Sequence, residues 1–158
     1  MNNVLRGNTN NMAISSFQAA KKVCELSGWT ITNLGLQKIL YLIHMIYAGR
    51  NKDRLIDEDF EAWDYGPVLP KLYHKVKCFG NKSIQNIFYD EEEPLNSLLL
   101  DFIKDSYKYF SENTPSQLVA MTHSQNGGWW IAYNPLMKKN KIPFESILAE
   151  YEKITSKK

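Results

Sequence analysis

The chain has 158 residues, the length of a single domain and enough to enclose a hydrophobic core. Apolar residues make up 44% and aromatic residues 13% of the sequence, a composition that excludes an intrinsically disordered chain. The net charge of +2 gives no indication of a nucleic-acid-binding or membrane-surface protein.

The sequence predicts one cytoplasmic domain. The longest apolar run, residues 39–48, is too short to span a bilayer, and no signal-peptide pattern is found at the start. The Asn-rich residues 1–11 predict a flexible tail, followed by a single domain over residues 12–158. Cys24 and Cys78 match no zinc or redox spacing, so we expect two small buried thiols in a reducing compartment.

The first half of the chain predicts two helices in succession. A capping box at Ser15 and Gln18 opens the first helix, and Gly28 closes it. Residues 34–48 are apolar around nearly the whole helix circumference, which predicts a central helix ending at Gly49. On this helix the polar residues at 37 and 38 and Tyr41 lie close together and are expected to share one accessible edge.

The remainder predicts mainly helix with a short ribbon. Residues 60–64 alternate in polarity and are expected to pair as a strand with residues 84–88. Pro70, Pro94 and Pro143 each open a helix, and a second capping box at residues 114–117 opens another, with one further turn over 129–133. The predicted fold is therefore mainly α, a compact bundle of about six helices around the helix 34–48, with a two-stranded β ribbon.

No constellation of side chains predicts catalysis or a bound cofactor. The three histidines, His44, His74 and His123, have no metal-ligand spacing, and there is no nucleophile elbow. The Asn126-Gly127-Gly128 turn lacks the lysine of a phosphate loop. We therefore expect no enzyme, no metal and no cofactor, and we interpret Thr122 and His123 as the end of the fifth helix.

The densest motif is a corner at residues 62–70, Ala-Trp-Asp-Tyr-Gly-Pro-Val-Leu-Pro. Gly66 permits unusual backbone angles and Pro67 fixes its own, so the corner is expected to be rigid. It is an architectural corner, a surface that presents Tyr65, Pro67 and Val68 to another protein, or both at once. Trp129 and Trp130 pose the same choice, and we expect one of them to be buried and the other to face outward.

Three sequence blocks together resemble a known family. They are Gln37-Lys38-Ile39-Leu40-Tyr41, the corner from Ala62 to Pro70, and Leu118-Val119-Ala120-Met121-Thr122-His123 followed by Trp129. In this order they are similar to the Panacea, or SocA-like antitoxin, domain of bacterial and prophage proteins. By position, the resemblance implies that the partner-binding residues are Gln37, Lys38, Tyr41, Trp63, Tyr65, Gly66, Pro67, Val68, Thr122, His123 and Trp129.

The resemblance implies a protein that neutralises a cognate protein toxin by direct contact. One branch of the family is similar to an adaptor that delivers its toxin to an ATP-dependent protease. The sequence does not decide whether such a protease is a second partner of this protein. The alternative is a nucleic-acid-associated regulator that uses Lys71, Lys75 and Lys77 of the third helix as a basic stripe. One departure concerns Gly127 and Gly128, which stand where the family often has Pro and predict a looser loop.

Overall fold

A computed structural model describes residues 13–156, which form seven helices and one small sheet. The predicted tail at residues 1–11 lies outside this range. In chain order the helices are α1 (Ser16–Leu26), α2 (Asn33–Asn51), α3 (Pro70–Val76), α4 (Ser97–Phe110), α5 (Pro115–Thr122), α6 (Gly128–Ala132) and α7 (Phe144–Ser156). The strands are β1 (Glu61–Trp63), β2 (Gly66–Val68) and β3 (Asn140–Lys141). The mainly α fold with a short β ribbon is confirmed.

Helix α2 is the centre of the bundle, as its all-round apolar sequence predicts. It packs against α1, α3, α4, α5, α7 and strand β2, and fifteen of its nineteen residues are buried. Burial on every side makes this helix the element that positions all the others. Gly49 does not end it, because this glycine lacks the positive φ of a left-handed cap, and the residue that closes the helix in that conformation is Lys52, with φ 56°. The ring of Tyr151 on α7 packs directly on Gly49.

Both predicted capping boxes are present. Ser15 Oγ accepts from the Gln18 amide at 3.1 Å while Gln18 Oε1 accepts from the Ser15 amide at 3.1 Å. Thr114 and Gln117 repeat this arrangement at the start of α5. Helix α4, in contrast, is not opened by Pro94, since Asn96 caps it and the first helical residue is Ser97.

The ribbon is real, but its predicted partner is wrong. Strand β1 lies between β2 and β3, both antiparallel, with Ala62 opposite Pro67 in the first pair and Asn140 in the second. Residues 84–88 form no strand. The Ile84 amide bonds instead to the carbonyl of Ile31 at 2.9 Å. The Ile84 amide is therefore used outside the ribbon, and Asn140 and Lys141 of β3 pair with β1 in place of residues 84–88.

The two cysteines differ in their surroundings. Cys24 is buried, and burial raises the pKa of its thiol to about 12. Cys78 is exposed on the single turn that follows α3, so the expectation of two buried thiols is wrong for this residue. In the part of the chain that the structure describes, no helix has the length and apolarity needed to cross a bilayer.

Candidate functional site

The three sequence blocks meet at Gly66, the first residue of β2. Gly66 has φ 119°, a conformation that side-chain-bearing residues rarely adopt. A Cβ placed there would lie 2.8 Å from Lys38 Cε and 3.2 Å from both Thr122 Oγ1 and His123 Nε2. Residues far apart in sequence, on α2, on the β1–β2 hairpin and at the end of α5, therefore form one tightly packed junction.

Helix α2 supports the hairpin with two buried polar side chains. Lys38 is 1% exposed, and its Nζ donates to the carbonyl of Pro67 at 2.9 Å. Gln37 Oε1 accepts from the Leu69 amide at 2.8 Å. Burial lowers the pKa of Lys38 to about 7. The expected accessible edge is wrong, because Gln37, Lys38 and Tyr41 are all buried and face the hairpin or α7.

A second buried network holds α2, α6 and α7 together. Glu150 Oε1 accepts from Tyr41 Oη at 2.6 Å and from the Gly128 amide at 2.8 Å, and its Oε2 accepts from Ser124 Oγ at 3.2 Å. Burial raises the pKa of Glu150, and these hydrogen bonds oppose the shift. A Cβ on Gly127 would lie 2.9 Å from Glu150 Cδ. The glycines therefore allow close packing on this carboxylate, and the predicted looser loop is wrong.

An aromatic stack joins α5 to the hairpin. His123, the C-terminal cap of α5, lies flat on Trp129 at 3.7 Å between ring centres, and Trp129 stacks on Tyr133 at 4.6 Å. Trp129 Nε1 donates to the carbonyl of Trp63 at 2.7 Å. Trp129 is 8% exposed whereas Trp130 is 50% exposed, which confirms the expected division between the two.

The imidazole of His123 is short of partners. Its Nε2 is buried and makes no hydrogen bond within residues 13–156. Burial and the nearby charge of Lys38 lower the pKa of His123, while the backbone of Tyr65 opposes this shift. His123 packs into the junction as one ring of the stack with Trp129.

The hairpin presents one aromatic side chain to solvent. Tyr65 is 74% exposed, whereas Pro67 and Val68 are buried. The expectation that the corner presents all three residues is therefore wrong for Pro67 and Val68. Pro67 fits an edge strand because its missing amide costs no ladder hydrogen bond. Trp63 is half-buried and packs edge-on against Tyr73 of α3 at 4.8 Å.

A groove of about 640 Å³ runs beside this hairpin. It lies between the start of α2, the end of α3 and the segment before β3. We call three of its buried lining residues the groove floor: Gln37, Lys38 and Val68. We call five of its half-buried and exposed lining residues the groove rim: Trp63, Tyr65, Tyr73, Lys77 and Lys139. Five of the sequence-predicted site residues thus line one groove, and the others lie beneath it or behind the hairpin.

The three lysines of the predicted basic stripe do not all lie on one surface. Lys71 and Lys75 lie over the ring of Phe17 on α1, at 5.0 and 5.5 Å from its centre. Lys77 instead lines the groove. The basic residues on which the nucleic-acid alternative depends therefore serve two separate surfaces.

The other two histidines lie away from the groove. His44 is buried in α2, where its Nδ1 accepts from the Ile56 amide at 3.2 Å, and burial lowers its pKa to about 3. His74 is exposed on α3. Among residues 13–156 no three His, Cys, Asp or Glu side chains come together as a metal site requires.

Sequence reasoning missed two groups of residues. Glu150 lies three positions after the buried Ile147, so an acidic residue at a core-facing helical position was the available signal. Asp64, which accepts from Tyr133 Oη at 2.7 Å and pairs with Lys138 at 3.0 Å, gave no signal, because its partners are some seventy residues away.

Comparison with known proteins places this architecture. The profile of the Antitoxin SocA-like, Panacea domain family matches residues 36–130, more than half of the chain. The chain belongs to this family. The match contains the three blocks that meet at Gly66 and ends before β3 and α7, so Glu150 lies outside it.

A curated relative supports the assignment. Antitoxin SocA of Caulobacter vibrioides (strain NA1000 / CB15N) is 30% identical over 114 residues. The alignment covers 66% of this chain and 61% of that protein, so the chain spans about three fifths of the relative's length. No solved structure gives a significant match. Both the family and this relative are described as antitoxins.

Proposed function

We propose that this Panacea domain neutralises a cognate protein toxin by direct contact, using the hairpin and the groove beside it. Family membership supports the antitoxin role. The surface is chosen because Tyr65 is exposed on a hairpin whose backbone is held by buried side chains. Under this proposal the protein works in the cytoplasm by binding its partner, and no covalent bond is made or broken.

Rigidity makes this surface suitable for binding. The hairpin backbone is held from below by Lys38 on Pro67 and by Gln37 on Leu69. An aromatic side chain on a backbone that is already ordered loses little entropy when a partner covers it. Tyrosine and tryptophan are also the residues that most often dominate the binding energy of an interface. Tyr65 is therefore the expected anchor, with Trp63 and Tyr73 beside it.

The proposal is tested by co-expression with the product of the neighbouring gene, provided that this product alone is toxic to the host cell. Tyr65→Asp places a charge at the centre of the proposed contact and should abolish protection of the host cell. Tyr89→Asp is the matched control, because Tyr89 is 77% exposed and lies outside the groove. If the Tyr65 variant is folded and protects as well as the control, the hairpin is scaffold and this choice of surface is wrong.

The protease route predicts a different fate for the toxin. We propose that the protein neutralises the toxin by covering its active surface. If the toxin is degraded as well, we propose that the protein delivers it to an ATP-dependent protease. Toxin abundance is followed by immunoblot after protein synthesis is stopped, with and without this protein. A constant toxin level indicates occlusion alone, whereas a shortened half-life that depends on Tyr65 indicates delivery.

A further inference from the structure

Positive charge is concentrated at the groove. Its lining contains four lysines, Lys38, Lys77, Lys138 and Lys139, and one acidic residue, Asp64. The chain as a whole has a net charge of only +2. The groove is thus markedly more basic than the average surface of this protein.

The one acidic residue is already occupied. Asp64 accepts from Tyr133 Oη at 2.7 Å and pairs with Lys138 Nζ at 3.0 Å. Both interactions lower the pKa of Asp64 and keep it ionised. Asp64 and Lys138 therefore offset each other, and the charge that is left over belongs to other lysines.

Two rim lysines are left with no acidic partner among the described residues. Lys77 and Lys139 take part in none of the ion pairs of residues 13–156. The ammonium of Lys139 lies 4.7 Å from the ring centre of Trp63. A cation beside an aromatic wall can receive a carboxylate and an apolar side chain from the same partner.

We propose that the groove binds an acidic segment of the toxin, in which carboxylates pair with Lys77 and Lys139 and an apolar side chain packs on Trp63 and Tyr73. This inference rests on the proposed function, whose partner it describes chemically. The aromatic rim provides the affinity for the apolar anchor, and the two lysines select acidic over basic sequences.

The observations favour a protein segment over a nucleic acid. A nucleic-acid backbone requires a row of cations along its path. The two lysines of α3, Lys71 and Lys75, lie over Phe17 instead of extending the basic surface of the groove. Two rim lysines without an acidic partner among the described residues, one of them over the ring of Trp63, match a short acidic segment better than a phosphate backbone.

The test uses defined probes and the full chain. Fluorescence anisotropy is measured with a short labelled peptide of glutamates around a central Trp-Leu pair, with its lysine counterpart, and with a single-stranded DNA of equal length. The double variant Lys77→Glu/Lys139→Glu reverses the two free rim charges. The matched control is Lys104→Glu/Lys108→Glu, which makes the same charge change on exposed positions of α4. Equal thermal melting curves establish that both variants are folded.

The acidic peptide should bind, and its affinity should fall at least about tenfold in the groove variant but less than about threefold in the control. The proposal is overturned if the acidic peptide does not bind, if both variants weaken it equally, or if DNA binds more tightly than the peptide. If the acidic peptide does not bind but Tyr65→Asp still abolishes protection, only the proposed acidic ligand is wrong. If the peptide binds but Tyr65→Asp still protects the cell, the proposed function of the hairpin is wrong.

Discussion

Lysines on the floor and on the rim of the groove have opposite environments. Lys38 on the floor is buried, bonded to the Pro67 carbonyl, and has its pKa lowered to about 7. Lys139 on the rim is exposed, lies over Trp63 and has no ion pair within residues 13–156. Polar residues of the floor shape the hairpin, and those of the rim stay available to a partner. Substitutions on the floor should therefore affect stability, and those on the rim should affect binding.

The largest effect on stability is expected at the junction beneath the hairpin. Gly66→Ala adds a Cβ 2.8 Å from Lys38 Cε at a residue with φ 119°. Backbone strain and collision together should lower the free energy of unfolding by about 2–4 kcal/mol. Gly80→Ala is the control, since Gly80 also has positive φ, 58°, but has no atom within 4 Å of the added Cβ. Urea denaturation should show only the strain part of this loss for the control, about 1–2 kcal/mol, and equal losses would contradict the packing account.

The next effect is expected in the network behind the hairpin. Glu150→Ala leaves Tyr41 Oη and the Gly128 amide buried without their acceptor. Two unsatisfied donors should lower the free energy of unfolding by about 2–3 kcal/mol. Glu150→Gln keeps an oxygen acceptor and should lose less.

The exposed Glu152, paired with Lys52, is the matched position for this test, and Glu152→Ala should change stability by less than about 1 kcal/mol. Chemical denaturation of the three variants measures the difference. A Glu150→Ala protein as stable as Glu152→Ala would show that the network contributes little.

A smaller effect on stability depends on pH and reports on the buried amine of Lys38. The pKa of Lys38 falls from 10.5 to about 7 on folding, so between these values the unfolded chain binds more protons and stability rises with pH. From pH 7 to 8.5 the free energy of unfolding should rise by about 1–2 kcal/mol. Lys38→Met, which stays buried without a charge, should remove this rise. Below pH 7 both states are protonated, and Lys38 adds no pH dependence.

Denaturation at several pH values measures the slope for Lys38. The neighbouring His123 does not interfere, because its lowered pKa places its titration below this window. Cys24, with its pKa raised to about 12, reduces stability as pH rises above about 8.5. A slope that persists in Lys38→Met would assign the effect to another group.

The smallest effect on stability is expected at the rim. Tyr65→Ala and Lys77→Glu change exposed side chains and should alter the free energy of unfolding by less than about 0.5 kcal/mol. Thermal and chemical denaturation measure this, in parallel with protection of the host cell. A rim variant that loses protection while retaining wild-type stability separates contact from folding. A large loss of stability would show that Tyr65 belongs to the scaffold.

Local signals in the sequence predicted the helices well. The two capping boxes, the central helix and the division between Trp129 and Trp130 are confirmed. Errors occurred where a partner from elsewhere in the chain decided the outcome. Gly49 lies inside the helix with the Tyr151 ring packed on it, and the left-handed cap is Lys52. The Ile31 carbonyl accepts from the Ile84 amide, and residues 84–88 form no strand.

The sequence predicted which residues belong to the candidate site, but it did not predict which of them are buried and which are exposed. Lys38, Gly66 and His123, one from each of the three blocks, pack on one another at one junction. Burial of Lys38 and exposure of Tyr65 do not follow from either residue type, since lysine is usually exposed and tyrosine is often buried.

By itself the sequence determined the helical periodicity, the caps and the corner, because each depends on residues within a few positions of one another. Tertiary structure alone decided that Lys38 lies beneath Pro67 and that Glu150 joins Tyr41 to Gly128. Long-range packing brings these partners together, and a buried polar group is stable only where such a partner is in place.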